Sequence, residues 1–145
     1  MDAPISTPRR RRARRTADGT GALDATTFAV IFNALNSVVE EMSITFERSA
    51  WSSILSEARD FSCAVYDASS PPNALCVFDG LPIHVNAQPT AVAEISRFFG
   101  EEIYDGDVIM VNSVYYGTTH CGDLVIATPI FHEGEHLFWA VATGH

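Results

Sequence analysis

The 145-residue chain contains no lysine, and six of its nine arginines (Arg9, Arg10, Arg11, Arg12, Arg14 and Arg15) fall within the first fifteen positions. From Gly19 onward sixteen acidic residues face only Arg48, Arg59 and Arg97. A body with that field repels nucleic acid. Lysine is also the usual grip on a triphosphate, and neither a GxxxxGK[ST] nor a GxGxxG pattern occurs. Any ATP used by this protein is therefore expected on another chain. No apolar run approaches the roughly 20 residues of a membrane span. The stretch after the arginines is polar and Gly/Thr-rich where a secretory signal would be apolar. Cysteine is scarce: Cys63, Cys76 and Cys121 are odd in number and lack CxxC spacing, so neither a disulfide framework nor a zinc ribbon is indicated. A reduced, cytoplasmic chain fits that usage. Cys63 and Cys76 lie in apolar runs and read as small core residues.

What is present is globular: 47% hydrophobic and 19% charged residues, enough for one core in a chain of this length. Residues 1–23 carry Pro, Arg, Thr and Gly without apolar periodicity and are expected to be a disordered leader, with a nuclear-address or phosphate-binding arm as the alternative. The domain is expected over 24–145. Phe28, Ile31, Phe32, Leu35, Val38, Val39, Met42 and Phe46 recur at helical steps, predicting a helix from an Asp24 cap to about Ser49. In FSCAVYD, Phe61, Cys63 and Val65 alternate with Ser62, Ala64 and Tyr66 as in a strand. The run Ser69-Ser70-Pro71-Pro72-Asn73 forces a turn, and ALCVF follows as a second strand. GLPIHVNAQP reads as a loop before a helix marked by Val92, Ile95, Phe98 and Phe99 and closed by Gly100. DVIMVN, DLVIATPIF and HLFWAVAT read as strands, the last two joined by a hairpin at His132-Glu133-Gly134-Glu135. The expected fold is α+β, a mixed, mostly antiparallel sheet with two helices.

The segment Tyr115-Tyr116-Gly117-Thr118-Thr119-His120-Cys121-Gly122-Asp123 is too polar for a core element and too aromatic for a plain linker. His120 and Asp123 can aim at one point only from a loop, because a strand sends residues i and i+3 to opposite faces. Such a pair suits a divalent metal; the competing reading is an ordinary loop histidine and an aspartate capping a strand. His145 follows a strand and Gly144, and returns to the end of the hairpin that Asp123 opens, unless it is only a frayed terminus. Glu57 either adds an oxygen ligand to that site or, with Arg59 and Asp60, forms a surface ion pair worth under about 1 kcal/mol. His132 and His136 flank a turn and are expected in solvent, and His84 is expected on a loop.

The blocks TFAVIFNALNSVVEEM with RSAWS, SEARDFSCAVYD, LPIHVNAQPTAV, GDVIMVN with YYGTTHCGD, and FWAVATGH resemble, in order and spacing, the N-terminal portion of the hydantoinase B/5-oxoprolinase family. That family includes the catalytic subunits of acetone and acetophenone carboxylases. The resemblance spans about Asp24 to His145. It implies a divalent metal, Mn or Zn, held by Glu57, His120, Asp123 and His145, with His120 and Asp123 at the chemical centre and Thr118, Thr119 and Tyr115 disposed toward substrate. It also implies an actin-like, ATP-binding hydantoinase A-type partner subunit. Where the family reads NDPY and GGTH, this chain has Asn112-Ser113-Val114-Tyr115 and Gly117-Thr118-Thr119-His120. Family chains continue well beyond the GH block, so a downstream half of the B-type subunit is an expected partner. The implied function is the metal-binding portion of an ATP-dependent cyclic-amide hydrolase, incomplete alone. A ketone carboxylase subunit and a truncated, non-catalytic structural module are the alternatives.

Overall fold

The computed structural model of the chain describes residues 23–78 and 80–145; apart from Leu23, the expected leader lies outside the described residues. Helix α1 (Ala25–Ser49) begins where predicted. The Asp24 carboxylate accepts from the Thr26 and Thr27 N–H groups, each at 3.0 Å, satisfying amides that no helical carbonyl can reach. The Thr27 hydroxyl, donating to the same carboxylate, is the main cause of its lowered pKa. Of the predicted apolar stripe, Val39 is buried and Leu35, Met42 and Phe46 pack beside it, while Phe28, Ile31, Phe32 and Val38 stay exposed. Only the later part of the stripe reaches the core.

A short helix α2 (Ser53–Ser56) leads to strand β1 (Phe61–Asp67), and strand β2 (Ala74–Phe78) pairs with it antiparallel. Helix α3 (Pro82–Phe99), strand β3 (Ile109–Val111), strand β4 (Leu124–His132) and strand β5 (Glu135–Gly144) complete the order. The five strands form one sheet in the order β2-β1-β5-β4-β3 with every pairing antiparallel. This is the expected α+β class, with a third, four-residue helix added to the two predicted. β1 is buried on both faces. Phe61, Cys63 and Val65 meet Val39 of α1 on one side, and Ala64 and Tyr66 meet Ala91, Val92, Ile95 and Trp139 on the other. Burial raises the thiol pKa of Cys63 and of Cys76, as expected of core cysteines, whereas Cys121 is exposed. Pro129 pairs with Trp139 of β5 and lies beyond Val125–Ala127, the residues β3 covers, so on that outer edge no partner awaits an N–H.

Two local expectations are corrected. GLPIHVNAQP is not a loop: α3 starts at Pro82, and Pro89 is accommodated inside it. The helix start is tied to β1 by the Ser62 hydroxyl, which accepts from the Leu81 N–H and donates to the Leu81 carbonyl, both at 3.1 Å. Proline at the first helical position needs no donor, which is why the run tolerates it there. Further along α3, Gln88 is fully buried. Its Nε2 donates to the Ser62 carbonyl (3.2 Å) and to Thr143 Oγ1 (2.9 Å), and the Tyr66 hydroxyl donates to its Oε1 (3.0 Å). A buried amide with those partners satisfied locks α3 to β1 and β5.

The second correction is His136, which is half-buried between Phe131 (ring centroids 5.0 Å) and Trp139 (4.7 Å), while His132 is exposed as expected. Burial lowers the His136 pKa below the usual 6.5. As pH falls through 6.5 the unfolded chain takes up a proton that the folded chain resists, so stability declines until the lowered folded value is passed. The Tm of His136→Gln relative to wild type should therefore improve between pH 7.5 and pH 5. A gap that stays constant over that range contradicts the assignment. Among the described residues, no helix is long and apolar enough to cross a membrane.

Candidate metal centre

Sheet register brings the chemistry together. Phe61 of β1 and Leu124 of β4 both pair with Gly144 of β5, so the start of two strands and the end of a third meet at one rim. The residues just outside that rim are Asp60, Asp123 and His145. The His145 N–H donates to the Asp60 carbonyl at 3.2 Å, extending the β1–β5 ladder by one step. The loop before β4 turns at His120-Cys121-Gly122, closed by the Asp123 N–H donating to the His120 carbonyl (3.2 Å). The loop geometry expected for an HxxD pair is present.

His120, Asp123 and His145 offer ligand atoms that all lie within 4.8 Å of one another. Asp123 is fully buried, and its two oxygens face different neighbours. Oδ1 is 3.1 Å from His120 Nε2 and 3.4 Å from His145 Nδ1. Oδ2 accepts from the Thr119 hydroxyl and is 3.5 Å from His84 Nε2. The imidazoles of His120 and His145 stand side by side, ring centroids 4.8 Å apart, with side chains 54% and 36% exposed. The centre is thus walled on the Asp123 side and open on the imidazole side, the layout that leaves a coordination position for an exogenous ligand. Gly122 makes the crowding possible, since a Cβ there would lie 2.8 Å from the Cε1 atoms of both rings. Its N–H donates to His120 Nδ1 (3.0 Å) and orients that ring.

Two imidazoles and a carboxylate form a donor set suited to Zn²⁺ or Mn²⁺. A second sign of fit is Asp60 Oδ1, buried beside this rim with no hydrogen-bond partner and with His84 Nε2, 3.5 Å away, as its ion-pair neighbour. A buried carboxylate oxygen is costly unless a cation or donor meets it.

Of the residues expected at the site, His120, Asp123 and His145 come together. Glu57 does not join them: it is exposed and caps the C-terminus of α2. The acidic side chain of SEARD that turns to the rim is Asp60, three residues on. Nor does Arg59 pair within that segment, because it reaches Glu47 of α1 at 3.3 Å. Arg59 adopts φ 54°, the left-handed bend that separates the exposed Glu57 from the inward Asp60. Thr119 touches Asp123, Thr118 is buried with an unpartnered hydroxyl, and Tyr115 projects into solvent, 89% exposed. His84, read from the sequence as a loop residue, is 1% exposed in the first turn of α3. The signal that would have placed it is the Leu-Pro pair ahead of it, a helix start rather than a loop.

Fold and donor set together define an α+β domain with a candidate divalent-metal centre at one end of an antiparallel sheet. The chain belongs to the hydantoinase B/oxoprolinase family, whose model matches residues 24–145. It is 36% identical over 123 residues to the caprolactamase subunit beta of Pseudomonas jessenii, covering 85% of this chain and 21% of that one. The crystal structure of the ATP-dependent caprolactamase from Pseudomonas jessenii superposes with a TM-score of 0.77 at 35% identity, over 86% of this chain and 21% of that chain. A nucleotide-free acetone carboxylase structure shares the fold with a TM-score of 0.76 at 24% identity, over 84% of this chain and 16% of that one. The chain therefore spans about one fifth of the length of the caprolactamase subunit it matches.

Proposed function

We propose that this chain forms the metal-binding part of a B-type subunit in an ATP-dependent enzyme that opens cyclic amides, with His120, Asp123 and His145 holding Mn²⁺ or Zn²⁺. The observation that carries this reading is the convergence of two half-open imidazoles on one fully buried carboxylate. For the further oxygen donor of that segment we propose Asp60, whose Oδ1 is buried without a hydrogen-bond partner, in place of the exposed Glu57. A bound divalent ion would act as a Lewis acid on a carbonyl or phosphoryl oxygen. Around it, Asp123 fixes the two imidazoles, Thr119 holds Asp123, and Tyr115 stands free on the same loop to meet a substrate.

The substrate class rests on kinship: a lactam ring is the substrate named for the caprolactamase relative, and the family model names hydantoinase and oxoprolinase. ATP would be bound by an actin-like A-type subunit, because no phosphate-binding loop pattern occurs here. The exposed apolar residues Phe28, Ile31 and Phe32 along α1 support association with further polypeptide. The 145-residue chain, incubated with ATP, Mn²⁺ and caprolactam, hydantoin or 5-oxoproline, should release no ring-opened product. Turnover should appear on reconstitution with an ATP-binding subunit and the remaining B-type sequence. Turnover by the pure chain, or none after reconstitution, would contradict the proposal.

A further inference from the structure

His84 has no part in the donor set described above, yet it is among the most deeply buried polar residues of the fold, 1% exposed. Its Nε2 faces two carboxylates at once, Asp123 Oδ2 and Asp60 Oδ1, each at 3.5 Å. Its Nδ1 is buried without a partner. A fully buried imidazole with one orphaned nitrogen is an expensive way to fill space. Leucine or methionine would fill the same volume at no polar cost, so the residue's worth lies in what Nε2 does.

The two edges of Asp123 show what that is. Oδ1 meets His120 and His145 on the open side, while Oδ2 meets His84 and Thr119 on the closed side. His84 thus touches the carboxylate from behind, on the oxygen turned away from the imidazole pair. Asp60, just before β1, and Asp123, just before β4, are two acids at the starts of the strands that flank β5. His84 Nε2 lies 3.5 Å from an oxygen of each, and an N–H there would offset their repulsion and favour one rotation of each carboxylate. The rigid first turn of α3, anchored through Leu81 to Ser62 of β1, holds that N–H in place.

We propose that His84 is the positioning residue of this centre: an Nε2–H donor, not a ligand, that holds the Asp60 and Asp123 carboxylates in the geometry a divalent ion requires. The inference rests on the metal-centre reading given above. Groups behind a ligating carboxylate typically set metal affinity by about 10- to 100-fold.

The test is Zn²⁺ affinity of the full chain by competition with a chromophoric chelator, for wild type, His84→Met and His84→Gln. Methionine restores volume without a donor, and glutamine restores a donor near the same place. His84→Met should weaken Zn²⁺ binding about 10- to 100-fold, and His84→Gln should stay within about threefold of wild type. A role in packing alone gives the reverse order or no change, and overturns the inference. Wild type that binds no Zn²⁺ instead removes the metal centre itself, so the two failures are distinct. Should His84→Met not fold, the long-range ¹H–¹⁵N spectrum of wild type decides. The His84 proton should sit on Nε2 and remain there when Zn²⁺ is added, while nitrogens of His120 and His145 shift. A metal-induced shift of the His84 nitrogens, or a proton on Nδ1, would overturn the assignment.

Discussion

Asp123→Asn should abolish divalent-metal binding while leaving the chain folded. The asparagine is the same size, so the core around a fully buried position keeps its packing. What changes is charge and polarity. Asp123 touches both imidazoles, the Thr119 hydroxyl and His84, and its negative charge answers a cation between His120 and His145. An amide supplies one neutral acceptor and turns two donor hydrogens toward groups that are themselves donors. The expected loss exceeds the roughly 100-fold seen for groups behind a ligand. His120→Ala, removing a half-exposed imidazole, should cost at least about 10-fold. The check is Zn²⁺ or Mn²⁺ titration beside a thermal melt. Asp123→Asn that binds as tightly as wild type would remove Asp123 from the centre.

Gly117→Ala should produce a large loss of stability for a single added methyl group. Gly117 sits at φ 96°, where an L side chain is strained at a cost of about 1–3 kcal/mol. The added Cβ would also lie 2.3 Å from the backbone nitrogen of Ala91 and 2.8 Å from the carbonyl carbon of Thr90. Those are atoms of α3 that cannot swing away, and such overpacking costs about another 1–3 kcal/mol. A total of about 3 kcal/mol corresponds to a Tm drop on the order of 10 °C for a domain of this size. The loop it displaces carries Thr118, Thr119 and His120, so metal affinity should fall together with Tm. A melt within about 2 °C of wild type would mean that the loop is not seated on α3.

Much of this was legible in the residues. α1 ran from its Asp24 cap, and FSCAVYD and ALCVF formed strands with the bounds their alternation marks, because period and turn chemistry are local properties. The hairpin made a meeting of Asp123 with His145 possible, against a frayed terminus, since β4 opens at one and β5 closes at the other. What stayed hidden depended on tertiary context. Glu57 and Asp60 are both acids in one short polar segment, and the left-handed bend at Arg59, which sends one to solvent and the other to the rim, leaves no mark in composition. His84 was obscured by its prolines. A Pro-rich run reads as a loop unless a neighbouring strand supplies the start, and here Ser62 of β1 does so. The exposed first part of α1 was likewise invisible, because an apolar stripe reports a face to be covered and not what covers it.

The central claim is that His120, Asp123 and His145 form a divalent-metal site. Its most direct test is metal analysis of the folded, wild-type chain after equilibration with Zn²⁺ or Mn²⁺ and removal of free ion. About one ion per chain, raising Tm by mass action and absent from Asp123→Asn, is the result expected. Folded protein that carries no ion and whose Tm does not move with metal concentration would contradict it.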